Sequence, residues 1–72
     1  MSRLLKRSFS LAGHRTSVAL EAEFWDALAE IAAADQRAVS ALVAEVDRTR
    51  GADMPLASSL RVLALKHFRA AR

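Results

Sequence analysis

The chain has 72 residues, 53% of them hydrophobic, no cysteine, and a formal net charge of +3. This allows one domain at most, with a core of marginal size for a monomer. It also excludes disulfides and thiolate metal sites, which leaves oligomerisation as the expected brace. No apolar run approaches the roughly 20 residues of a membrane span, and the opening MSRLLKRSFSLAG lacks the continuous apolar stretch of a signal peptide. A cysteine-free chain suits a reducing cytoplasm, so a cytoplasmic protein is expected.

The charge is unevenly spread. Residues 1–20 carry Arg3, Lys6, Arg7 and Arg15 and no acid. Residues 21–53 hold all eight acids, with Arg37, Arg48 and Arg50. Residues 54–72 carry Arg61, Lys66, Arg69 and Arg72, again without an acid. Two basic ends around an acidic middle favour a polyanion on one side of the molecule; an ordinary solvated surface fits the same charges equally well.

In chain order, residues 1–7 read as a basic flexible arm. SFSLA alternates, with Phe9 and Leu11 on one side and Ser8 and Ser10 on the other. HRTSVAL alternates again, setting Thr16, Val18 and Leu20 against Arg15, Ser17 and Ala19. A lone strand needs a partner. A hairpin between residues 8–12 and 15–20 is one source, but Ala-Gly-His is not a preferred two-residue link. A second copy of the chain is the other.

A first helix is expected from about Ala22, with Glu21 and Glu23 near its positive end. Phe24, Trp25, Leu28, Ile31 and Ala32 form its apolar stripe, while Asp26, Glu30 and Asp35 face water. A second helix spans about residues 39–50, with Val39, Leu42, Val43 and Val46 on one face and Ser40 as a candidate cap. Gly51 suits a left-handed C-terminal position, and Pro55 blocks continuation. A third helix covers residues 57–70, with Leu56, Leu60, Leu63, Ala64, His67 and Phe68 on a broad stripe and Val62 and Leu65 off it.

Catalytic material is sparse. His14 and His67 are the only histidines, and no carboxylate has metal-motif spacing beside them. The serines lack a nucleophile elbow or a local base. The chain is therefore expected not to be an enzyme and to use no metal or cofactor; His67 is expected at a helix interface. The strand is more informative. Paired with its copy it would form a two-stranded antiparallel ribbon, an element that enters the DNA major groove, where Arg pairs with guanine and Ser bonds to any base. Two-fold pairing would present Arg15 and Ser17 twice, matching a pseudo-palindromic site. Both residues fit the wet side of an ordinary strand equally well.

The order strand–helix–helix resembles the ribbon-helix-helix family of bacterial DNA-binding proteins. The likeness is closest to a short subfamily with the pattern KRSF-x-LAGHRTSV-x-LE-x-x-FW-x-AL, then ALVAE-[VI]-D, then SLRV with an aromatic near the end. The corresponding stretches here are KRSFSLAGHRTSVALEAEFWDAL, ALVAEVD and LASSLRVLALKHFR, covering roughly residues 6–69. The resemblance implies an α-rich ribbon-helix-helix homodimer with an added C-terminal helix, occupying residues 8–72. It implies a DNA-binding transcriptional regulator whose ribbon, made by two chains, docks in the major groove. Arg15, Ser17 and Ala19 become the outward, base-facing positions. Backbone amides at Val39, Ser40 and Ala41 would hold a phosphate at a helix N-terminus, with Lys6 and Arg7 as further phosphate contacts. Val18, Leu20, Phe24, Trp25, Leu28, Leu42 and Val46 are expected to form one core across both chains. Two departures stand out: the family's turn glycine before the second helix is replaced by Gln36 or Arg37, and Ala19 has no hydrogen-bonding group. The alternative function is a dimeric protein-interaction module of the same fold, using the third helix or the ribbon to hold a partner protein.

Overall fold

The computed structural model describes residues 3–71. Two strands, β1 (Leu4–Leu11) and β2 (His14–Glu21), precede three helices, α1 (Ala22–Ala34), α2 (Val39–Thr49) and α3 (Leu56–Ala70). Within the chain, β1 is a strand partner for β2. β1 and β2 form an antiparallel hairpin within one chain, in register from Leu4 opposite Glu21 to Leu11 opposite His14. Residues 4–7, expected in a flexible arm, are the first half of β1; residues 1 and 2 of that arm lie outside the described residues.

The turn that makes this hairpin is Ala12-Gly13 rather than Ala-Gly-His. Both residues have positive φ, 51° and 82°, as the two centres of a type I′ turn require to match strand twist. Gly13 takes this conformation freely; Ala12 takes it against the preference of an L-residue.

Alternation then sorts the side chains. Phe9 and Leu11 of β1 and Val18 and Leu20 of β2 face the helices and are buried. They join Trp25, Leu28, Ile31 and Ala32 of α1, Leu42 and Val43 of α2, and Leu56, Leu60 and Ala64 of α3 in one core. Five of the seven residues assigned to a core shared by two chains are thus buried within one. Phe24 and Val46 pack against this core while partly buried. The hairpin within the chain covers one side of this core.

β2 runs directly into α1. Glu21 ends the strand and is the N-cap of the helix, and the Ala22 amide donates to the Arg3 carbonyl at 3.3 Å, extending the ladder. α1 ends in a left-handed cap at Gln36, φ 57°. The Gln36 amide donates to the Ala33 carbonyl and the Arg37 amide to the Ala32 carbonyl, both at 3.0 Å. This is the double-bonded Schellman arrangement, built here without glycine. The Arg37 guanidinium then pairs with Asp35 and Glu45, tying the turn to α2.

α2 ends differently from the sequence expectation. Gly51 is not among the residues of positive φ; Arg50 is the C-cap, in an extended conformation. Its Nε donates to Asp47 Oδ1 at 3.0 Å and its Nη1 to the Met54 carbonyl at 2.6 Å, pinning the turn into α3. On α3, Leu56, Leu60 and Ala64 are buried. His67 and Phe68 are exposed and stack edge-to-face at 5.0 Å, so neither lines the interior of the fold.

Candidate nucleic-acid interface

Side chains of a hairpin stand alternately on its two faces, so the register fixes the outward set. Lys6 lies opposite Ala19, Ser8 opposite Ser17, and Ser10 opposite Arg15. All except Ala19, which is half-buried, are exposed. The Ser8 and Ser17 hydroxyls meet at 3.2 Å across the strands. The outward face is therefore a strip of cations and hydroxyls running from Arg15 near the turn to Lys6. Its acid is Glu21, at the end remote from the turn. There Arg61 of α3 donates to Glu21 Oε1 from Nε and lies 3.0 Å from it through Nη2. The Glu21 carboxyl is held below the usual carboxylate range, first by a backbone N–H of Glu21 itself and then by Arg61.

Lys6 and Arg7 are separated by the same alternation. Lys6 stands on the outward face. Arg7 shares the inner parity of Phe9, and its guanidinium covers the Phe9 ring at 5.6 Å and the Trp25 ring at 5.1 Å. The two rings lie 5.9 Å apart, and Trp25 Nε1 donates to the Leu5 carbonyl at 2.7 Å. Arg7 thus caps the open end of the core beside the strand instead of lying next to Lys6 on one basic surface.

Val39, Ser40 and Ala41 form the first turn of α2. Ala38, not Ser40, is the N-cap, and no side chain caps the helix. Ser40 and Ala41 are exposed. The Ala41 amide already donates to the Ala38 carbonyl at 3.1 Å, so the earlier amides of the turn are the better anion donors.

Ser8 and Ser10 were not among the residues singled out from the sequence. Their signal was present in the alternation of SFSL, but it needed the Ala12-Gly13 turn to place them beside Ser17 and Arg15. Among the described residues, no cluster of three or more His, Cys, Asp or Glu side chains is placed to hold a metal, and no helix is long and apolar enough to cross a membrane.

With this geometry established, comparison with known proteins places the fold. The model of the ribbon-helix-helix domain matches residues 4–68, and the chain belongs to that family. Among solved structures it is similar to an uncharacterized protein from Bordetella pertussis Tohama I, with 36% sequence identity and a TM-score of 0.83. The similarity covers 97% of this chain and 59% of that one, so the present chain spans little more than half the length of that protein. No curated protein matches the chain.

Proposed function

We propose that this protein binds double-stranded DNA through the outward face of its β-hairpin and acts as a transcriptional regulator, as a homodimer. The observation that carries this is the composition of that face: Lys6, Ser8, Ser10, Arg15 and Ser17 stand together on one two-stranded antiparallel ribbon. A ribbon of this width enters a major groove of about 12 Å. A four-stranded sheet formed by edge pairing of two hairpins would span about 14 Å between its outer backbones and would not. One chain thus supplies a complete reading element, and Ser8 and Ser10 enlarge a readout set that rested on Arg15 and Ser17 alone.

Within the reading, Arg15 is the base-discriminating group, because it is fixed on an ordered strand and can donate two parallel bonds to guanine. Ser17, Ser8 and Ser10 offer hydroxyls that both donate and accept. Ala19 supplies a methyl contact rather than a hydrogen bond. Lys6 serves the phosphates as a point charge, and the free amides at the start of α2, around Val39 and Ser40, serve as an anion site. Arg7 drops out of this set because its guanidinium is stacked on the rings of Phe9 and Trp25.

The test is DNA affinity by fluorescence anisotropy across a salt series, on duplexes selected from a random pool. Phosphate contacts require log affinity to fall linearly with log salt. A flat salt response, or selection that yields no preferred sequence, defeats the reading.

A further inference from the structure

We propose that the groove between α2 and α3 is a binding site for a small amphiphilic carboxylate, a medium-length acyl chain whose carboxylate pairs with Lys66. This goes beyond the DNA reading and stands whether or not the chain binds DNA.

The groove has a volume of about 320 Å³, at the lower end of the roughly 300–1,000 Å³ that small-molecule sites occupy. Its α3 wall is one helical row, Ser59, Val62, Leu63 and Lys66, at i, i+3, i+4 and i+7. Val46 of α2 and Met54 of the turn between the helices also line it. Val62 and Met54 are each 40% exposed. The middle of the groove is therefore apolar and open to solvent. The row ends at Lys66, roughly 10 Å along the helix from Ser59. No residue of the hairpin lines the groove, so a ligand there leaves the outward face free.

Charge identifies the ligand. Lys66 is exposed, and among the described residues no ion pair engages its ammonium group. The other cation of the lining, Arg50, is committed to Asp47 and the Met54 carbonyl. No acid lines the groove. The nearest carboxylate stands in the turn that leads into α3: Asp53 Oδ1 lies 2.9 Å from the position a Cβ on Gly51 would take. An anion is repelled at that end and attracted at the Lys66 end. The ligand therefore lies with its carboxylate at Lys66 and its chain over Leu63, Val62, Val46 and Met54.

The groove between α1 and α3 is of similar volume, about 340 Å³, and also apolar, but its charges differ. Its cation, Arg61, is paired with Glu21, and Glu23 lines it. An anionic ligand is thus directed to the α2–α3 groove and away from its neighbour.

The test is a titration of the full chain with sodium octanoate below its micelle concentration, followed by amide chemical shifts in two-dimensional NMR. Saturable shifts are expected at Val46, Met54 and Ser59 to Lys66, with Phe24 and Ala27 unmoved. Lys66→Gln is expected to weaken octanoate about two- to five-fold, the worth of an ion pair at an open rim, and to leave octanol unaffected. Val62→Asp is expected to abolish the shifts. Should that variant fail to fold, Lys66→Glu, at an exposed position, is expected to weaken octanoate more than Lys66→Gln does. Octanol binding as tightly as octanoate to the wild type overturns the proposal. So do shifts centred on Phe24 and Ala27, indifference to both Lys66 variants, or the absence of saturable shifts. Anionic phospholipid vesicles that move the same amides more than octanoate does would put a membrane surface in the groove and overturn it too.

Discussion

The two faces of the hairpin share one backbone and the same alternation, yet they answer to different constraints. On the inner face, Phe9, Leu11, Val18 and Leu20 are each 6% exposed or less, and their shapes are fixed by the helices against them. On the outer face, Lys6, Ser8, Ser10, Arg15 and Ser17 are exposed, and nothing in the packing of the domain requires their chemistry. Substitution should therefore separate the faces cleanly. Inner changes should cost stability at any salt concentration, and outer changes should leave stability alone and alter recognition.

The largest expected effect lies where the inner face meets α1. Trp25→Ala should destabilise the fold by about 3–5 kcal/mol through the cavity it leaves. Trp25→Phe should cost about 1 kcal/mol for the lost bond to the Leu5 carbonyl. Denaturant unfolding measures both, and a Trp25→Ala cost below that of Trp25→Phe would break the assignment of the inner face as core. On the outer face, Arg15→Ala should lower discrimination between a selected site and a random duplex by about 1–3 kcal/mol. Its unfolding midpoint should stay within experimental error of the wild type. Lys6→Ala should instead weaken all duplexes alike and reduce the salt slope by about one. Equal loss of discrimination from both variants would contradict the roles proposed for them.

Arg7 sharpens the contrast, being the cation next to Lys6 that stands on the other face. Arg7→Ala should cost about 0.5–1 kcal/mol of stability from its stacking on Trp25 and Phe9 and leave discrimination unchanged. Of similar size and opposite sign, Gln36→Gly should stabilise by roughly 1 kcal/mol by relieving the left-handed cap, again by denaturant unfolding. The smallest effect is a pH dependence at the end of the outer face. Because the Glu21 carboxyl titrates below its ordinary range in the folded chain, its contribution is present above the unfolded-state carboxylate pKa. It is lost as pH falls through the lowered folded value. Glu21→Gln should remove that part of the acid limb of the stability curve, and an identical acid limb in the variant would show that the pair with Arg61 adds nothing.

The helices show how far local signals reach. α1 and α2 begin at Ala22 and Val39, as expected from their apolar periods, because 3.6-residue spacing marks a buried stripe whatever it packs against. The family resemblance rests on sequence motifs and is likewise a local signal; the ribbon-helix-helix match over residues 4–68 agrees with it. The positive φ at Gln36 was foreshadowed too, by a turn with no glycine to take it. Termination was less legible. Gly51 looked like a helix-ending residue, but the end of α2 is made by the Arg50 side chain reaching Asp47 and the Met54 carbonyl, and side-chain reach leaves no period in a sequence.

What the sequence determined by itself is the parity of each strand and the stripe of each helix, because alternation and helical repeat are properties of the chain alone. What the tertiary structure decided is which strand pairs with which. The pairing of residues 4–11 with β2 turned on Ala12 accepting a left-handed conformation beside Gly13. That is an unfavourable local state, and it is held by contacts distant in sequence: Phe9 and Leu11 against the helices, and Trp25 bonded to Leu5. The same pairing turned Ser8 and Ser10 into neighbours of Ser17 and Arg15, and sent Lys6 and Arg7 to opposite faces. Local propensity could not foresee this, since the energy that fixes the turn comes from packing that exists only once the helices are in place.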